Sequence, residues 1–247
     1  MKLRRMSFII LACGLALFTG SFVRARLSKE PVAKIVEPRS FVIHYLLSRS
    51  RDENPPKPYG YEIRSVSSSG EWKETKYLFD GAVSTLGATR DGLYSMVGDS
   101  KQYYGVYDLE KARSIPTDET SLRSDPAFTR VEQLLGLTTY VAVHRNGKEA
   151  ELEVSHAVET GITPLKVIIR GNREGGSKYH DVKEAINIEF RNLSDDEIRL
   201  PNLPIKFELA EQRYRLLKNA GHIHQADILQ EAMGRLKAIF NQREIKD

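Results

Sequence analysis

The sequence predicts an α+β, mainly β fold: a curved antiparallel sheet or half-open barrel with a short inserted helix and a C-terminal helical hairpin. From Phe41 to Phe207 short runs alternate apolar and polar residues and are interrupted, about every eight to twelve positions, by turn chemistry. At Leu209 the period changes to the i, i+3, i+4 spacing of amphipathic helices. Cys13 is the single cysteine, so the body of the chain holds no disulfide framework and its core must form by packing alone.

The chain opens with Lys2, Arg4 and Arg5, followed by an uncharged apolar run from Met6 to Val23. A basic segment before an apolar one is the signature of a secretory signal, and Val23-Arg24-Ala25 supplies small residues for cleavage. Left uncleaved, the same run is near the lower limit for crossing a bilayer and serves as an N-terminal membrane anchor. Either outcome predicts a periplasmic or secreted protein, or one anchored to the inner membrane by residues 6–23. Ile10-Leu11-Ala12-Cys13 is similar to a lipidation box, but the apolar run continues through Phe18 where a tether should turn polar. The predicted organisation is a leader at 1–25, a Pro-containing spacer at 26–39, an antiparallel β domain at 40–207 and a helical hairpin at 208–247.

The whole chain has 37 basic and 33 acidic side chains. Four of the basic ones lie in residues 1–25, which have no acidic partner, so the remainder is balanced at 33 of each. A balanced body lacks the basic face that nucleic acid requires.

Within the β region the expected strands are Phe41 to Leu47, Tyr59 to Val66, Trp72 to Phe79, Leu93 to Val97, Gln102 to Tyr107, Leu137 to Arg145, Glu149 to His156, Leu165 to Arg170 and Val182 to Arg191. Ser69-Gly70, Asp99-Ser100 and Asn146-Gly147 mark turns. A two-residue type I′ turn at Asn146-Gly147 sets Val143 opposite Ala150, Val141 opposite Leu152 and Thr139 opposite Val154, with His144 facing Glu149. Asp125-Pro126 followed by Phe128, Val131, Leu134 and Leu135 has helical spacing and predicts the inserted helix, ending near Gly136.

In the tail, Leu209, Leu216 and Ala220, then Ala226, Leu229, Met233, Leu236 and Phe240, form two apolar stripes separated by Gly221. The turn resembles that of a tetratricopeptide-type helix pair, present in one copy. Packed on the sheet, the pair is structural; with the stripe Ala226, Leu229, Met233, Leu236 and Phe240 exposed, it is a docking surface for an envelope protein.

No catalytic motif stands out. Neither Gly-x-Ser-x-Gly nor Ser-x-x-Lys occurs, and Gly98-Asp99-Ser100-Lys101 lacks the rest of a phosphate loop. His222 and His224 lie close enough to share a metal, but Asp227 alone completes no ligand set, so neither metal nor cofactor is expected. Asn192-Leu193-Ser194 is a glycosylation sequon. Aromatic residues crowd the first β block, and Tyr61, Trp72, Tyr77, Tyr94, Tyr103 and Tyr104 are the candidates for lining a surface that holds an apolar ligand.

The order of elements is informative: export segment, antiparallel strands, Asp91-Gly92-Leu93-Tyr94-Ser95 leading to Val106-Tyr107-Asp108, an inserted helix, then strands closing on Pro201-Asn202-Leu203-Pro204. From Phe41 to Phe207 this resembles the exported proteins built on the lipoprotein-carrier (LolA/RseB-like) half-barrel. The resemblance implies a curved sheet whose apolar concave side accepts acyl chains. It points to a non-enzymatic binding or carrier protein for a lipid, lipoprotein or other apolar ligand. A scaffold acting through the helical tail is the alternative. A hydrolase without a recognisable motif ranks third and requires a His and a carboxylate converging on Ser or Tyr.

Overall fold

A computed structural model describes residues 39–51, 54–109, 118–147, 150–172 and 177–244, without the side chains at 97 and 239–244. The predicted leader and most of the spacer therefore lie outside the described residues. Among the described residues no helix is long and apolar enough to cross a membrane.

The β region forms one open, curved, 12-stranded sheet. Its strands are β1 (Phe41–Arg51), β2 (Lys57–Val66), β3 (Trp72–Leu78), β4 (Val83–Thr89), β5 (Gly92–Val97), β6 (Ser100–Gly105), β7 (Phe128–Leu134), β8 (Leu137–Asn146), β9 (Ala150–Ala157), β10 (Lys166–Asn172), β11 (Lys178–Phe190) and β12 (Ile205–Lys206). The order is β12-β6-β5-β4-β3-β2-β1-β11-β10-β9-β8-β7. Two meanders, β1 to β6 and β7 to β11, are thus joined where β1 pairs with β11, Phe41 opposite Phe190 and Arg51 opposite Tyr179. The helices are α1 (Glu119–Arg123), α2 (Asp195–Ile198), α3 (Glu208–Asn219) and α4 (Ile223–Glu244).

Four expectations change. The first concerns Val83 to Thr89, which form a strand that small residues and Gly87 conceal in the sequence. Second, β12 pairs parallel with β6, so one edge of the sheet is mixed. Third, the segment after Asp125 is a strand and the inserted helix precedes it, capped by Asp118, which accepts from Ser121 N–H at 2.6 Å. Asp125 instead closes a turn: its Oδ1 accepts from Ala127 N–H at 2.7 Å and its carbonyl from Phe128 N–H at 2.9 Å. Fourth, Asn146 stays in the strand and pairs with Ala150, because only Gly147 of the two has positive φ (59°). A type I′ turn needs positive φ at both central residues.

That longer loop moves the register by three. Val143 faces Glu153, Ala142 faces Val154, His144 faces Leu152, and Glu149 lies outside the described residues. The alternation argument fails because both faces of β8 are buried: Tyr140 and Ala142 on one, Thr139 and Val141 on the other.

A two-residue hairpin loop with positive φ at both positions is at Leu135-Gly136, between the pair Leu134 and Leu137. Leu135 has φ 54° and Gly136 φ 77°, and Leu135 is the one non-glycine with positive φ among the described residues. A left-handed conformation costs a branched L-residue roughly 1–2 kcal/mol, whereas Asn accepts it. Since Leu135 is 40% exposed, Leu135→Asn gives up little burial. The substitution is expected to stabilise the protein by about 1 kcal/mol, read as a higher urea midpoint at unchanged slope.

Candidate functional site

Residues directly opposite in an antiparallel sheet share a face, so the register assigns every side chain to one of two faces. The first face carries Phe41, Ile43 and Tyr45 of β1, with Ala185, Ile188 and Phe190 opposite on β11. The connection from β6 to β7 runs between opposite ends of the sheet, and both of its described ends touch this face. Tyr107 packs edge-on against Trp72, ring centroids 6.3 Å apart. Arg123 of α1 lies 5.3 Å from the Tyr140 ring and 5.8 Å from that of Phe128. Residues 110–117 between them lie outside the described residues.

At the middle of this face the floor is charged. β2 and β3 form a hairpin in which Glu62 faces Lys76 and Arg64 faces Glu74. Lys183 of β11 stands opposite Leu47, yet its long side chain reaches over β1. Its ammonium contacts Glu62, lies 3.0 Å from Glu74 Oε2 and sits 4.3 Å from the Tyr45 ring centroid. Arg64 Nη1 is 3.2 Å from Glu74 Oε2, and its guanidinium stacks 4.3 Å from the Trp72 ring. Tyr45, fully buried, donates its hydroxyl to Pro164 O at 2.7 Å. Nearby, Arg49 and Asp181 pair directly across β1 and β11 at 2.5 and 3.0 Å.

Burial, and then the Glu74 charge, push the Glu62 carboxyl up to about 7. Burial also acts to raise Glu74, but Lys183 and Arg64 outweigh it and hold that carboxylate low, at about 2. Burial pulls Lys183 down while Glu62 and Glu74 pull it up further, so it stays charged. The cluster is therefore an electrostatic fastening in which Glu62 releases its proton at a higher pH than an ordinary carboxyl and Glu74 at a lower one. Among the described residues no group of three or more His, Cys, Asp or Glu converges to hold a metal ion. The cluster is not visible in the sequence one strand at a time, because charged residues on a strand are expected to face solvent. The signal was available as opposite charges at i, i+2 in two adjacent strands, Glu62 with Arg64 and Glu74 with Lys76.

The six candidate aromatics fall into three places. Trp72 lies buried on the charged face, and Tyr104 shares that face, accepting from Ser95 Oγ at 3.3 Å. Tyr94 and Tyr103 point to the second face and are buried beneath the helical pair, 5.4 Å apart and packed with Leu200, Ala210, Leu229, Met233 and Leu236. Tyr61 and Tyr77, directly opposite on the same second face, stack at 4.7 Å and 14°, with Val83 opposite Tyr77. Tyr61 is 41% and Val83 61% exposed, and Phe79 at the end of β3 is 64% exposed.

The helical pair is ended and turned by Gly221. His222 N–H bonds the Leu217 carbonyl at 2.9 Å and Gly221 N–H the Lys218 carbonyl at 3.1 Å, a Schellman closure that needs the positive φ (78°) of Gly221. Ala226, Leu229, Met233 and Leu236 are buried against the chain's own sheet. That stripe is core, and the Phe240 side chain lies outside the described residues. Among the described residues, Leu216, Ile223 and Ile228 are the large apolar side chains that this pair exposes.

The class these elements define is an open half-barrel sheet with a C-terminal helical pair. No protein-family model matches the chain, and no curated protein matches its sequence. Among solved structures it is similar to MucB, with 13% identity and a TM-score of 0.38 over 68% of this chain and 59% of MucB. It is also similar to the Pseudomonas aeruginosa MucA/MucB complex, at 16% and 0.37 over 67% of this chain and 56% of that one. The LolA superfamily protein NE2245 from Nitrosomonas europaea matches at 10% and 0.34, over 67% of this chain and 92% of that one. The chain spans less than two thirds of the length of MucB. The likeness is weak and is one of fold, to the group that the strand order resembles.

The charged cluster makes a pH prediction together with His156, whose burial lowers its pKa to about 4. Glu62, raised from 4.5, keeps a proton in the folded state that the unfolded chain releases, so stability falls as pH rises from 4.5 to 7. His156, lowered from 6.5, refuses a proton that the unfolded chain binds, so stability rises with pH from 4 to 6.5. The two slopes oppose each other where they overlap. Glu62→Gln, which mimics the protonated acid, is expected to uncover the rise between pH 4.5 and 6.5 that Glu62 offsets in the parent, and to abolish the fall above pH 6.5. Urea midpoints at pH 5, 6, 7 and 8 check this, and parallel curves for variant and parent contradict it.

Proposed function

We propose that the chain is an exported, non-enzymatic binding protein that takes an apolar ligand, such as a lipid or the lipid-bearing end of a lipoprotein, on the aromatic patch of its second face. The observation that carries this reading is the stack of exposed Tyr61 on half-buried Tyr77, continued by exposed Val83 and flanked by exposed Phe79. Contiguous apolar surface left open on a solvated sheet marks an interaction site, and paired tyrosines offer broad apolar contact with polar tips. Export rests on Lys2, Arg4, Arg5 and the apolar run that follows, which supplies membrane contact if the leader is retained.

The charged face suits an acyl chain less well than the resemblance implies. An alkyl ligand laid over Glu62, Glu74, Arg64 and Lys183 would meet side chains that need their ionic partners and gains nothing from displacing water there. Phe41, Ile43 and Leu165 beside the cluster are already packed against Ala157 and Ala185.

The test is native mass spectrometry of the full chain purified from an envelope fraction in mild detergent, followed by organic extraction. The parent is expected to carry an apolar species that Tyr61→Ser/Tyr77→Ser loses by about tenfold, the effect of removing roughly 1.4 kcal/mol of aromatic contact. Tyr61 is exposed but Tyr77 is half-buried, so circular dichroism and a urea midpoint confirm that the variant is folded before retention is compared. Equal retention by the variant contradicts the reading. A second reading, a protein partner on the helical pair, is favoured by exposed Leu216, Ile223 and Ile228. It predicts a partner lost with Leu216→Lys/Ile223→Lys and retained by the tyrosine variant.

A further inference from the structure

The two edges of the sheet differ. At one, β12 lies beside β6 and the helical pair packs on β6. At the other, β7 pairs with β8 and, among the described residues, with no strand on its outer side. An open edge presents a row of backbone donors and acceptors to any strand that fits it. Here Thr129, Arg130 and Val131 are exposed.

The sequence of β7, Phe128-Thr129-Arg130-Val131-Glu132-Gln133-Leu134, is self-complementary about Val131. Antiparallel pairing with a second copy across a two-fold axis at Val131 sets Val131 against Val131. It also sets each Arg130 against the opposing Glu132, and Thr129 against Gln133. Directly opposite side chains lie about 5 Å apart, and opposite charges there are favourable. Arg130 and Glu132 already share one face and pair along the strand at 2.6 Å, with side-chain exposures of 44% and 36%. Dimerisation therefore only redirects an existing surface ion pair across the axis. The second arm of Arg130 reaches inward over β8 to Glu153 of β9 at 2.8 Å, so the side available to a second copy is the Nε that meets Glu132. Edges protected against pairing carry charge, proline or a bulge, and β7 does bulge at one end, between Phe128 and Arg130. An Arg-Val-Glu centre does the opposite, since it attracts its own copy.

We propose that β7 is an isologous homodimer interface, through which two copies continue one sheet across a two-fold axis. The partner committed to is a second copy of this chain, because its edge is the one whose charge order is known to match. A single strand pair is a small contact, so the dissociation constant is expected on the order of tens of micromolar.

Sedimentation velocity of the full chain in mild detergent, from about 1 to 200 μM, tests the proposal, with circular dichroism confirming that each variant is folded. The parent is expected to pass from monomer to dimer over that range. Val131→Lys and Val131→Glu each place like charges on the axis and should raise the dissociation constant at least about tenfold. An equimolar mixture of the two should dimerise again, since Lys then faces Glu. A parent that stays monomeric throughout overturns the proposal, whether the edge is idle or serves another protein. So does a dimer that both variants leave unchanged, or a mixture that remains monomeric.

Discussion

One side chain crosses a strand to hold the sheet together. Lys183 belongs to β11, but its ammonium passes over Tyr45 of β1 to Glu62 of β2 and Glu74 of β3. The two meanders are joined by backbone hydrogen bonds only along β1 and β11, so this reach ties the first three strands of one meander to the last strand of the other. Removing the cation would leave two buried carboxylates facing one another, the costly way to break a buried ion pair. Arg49 with Asp181, further along the same two strands, fastens the seam a second time.

That fastening decides where chemistry is available. On the face it occupies, Arg64 lies between Trp72 and Glu74, Lys183 lies between Tyr45 and Glu74, and the connection after β6 meets Trp72 through Tyr107. On the other face the helical pair buries Tyr94 and Tyr103, while Tyr61 and Val83 remain exposed beside half-buried Tyr77. The apolar stripe Ala226, Leu229, Met233 and Leu236 is thus spent on the core, while Tyr61, one of the candidate aromatics, joins Val83 and Phe79 in the exposed apolar surface.

The strands were legible wherever one face alternates cleanly. β1, β2, β3, β5 and β11 fall within a few residues of their expected places, and the helical pair turns at Gly221 as expected. Reading failed where both faces are buried or where spacing is ambiguous. Val131, Leu134 and Leu135 sit at helical intervals, but Asp125 closes a turn and Leu135-Gly136 closes a hairpin, so the segment is a strand. In β8, buried residues on both faces removed the information that sets a register. The charged cluster was invisible for a related reason. Glu62, Glu74 and Lys183 look like solvent positions one strand at a time, and only the register of β1 between β2 and β11 brings them together.

The most direct measurement of the account as a whole is photo-crosslinking in cells that make the protein, with benzoylphenylalanine placed at Tyr61 in one strain and at Trp72 in another. If the second face is the recognition surface and the first is closed by its ion pairs, position 61 forms intermolecular adducts and position 72 forms none. Adducts at 72 with a silent position 61 would place recognition on the charged face and contradict the account.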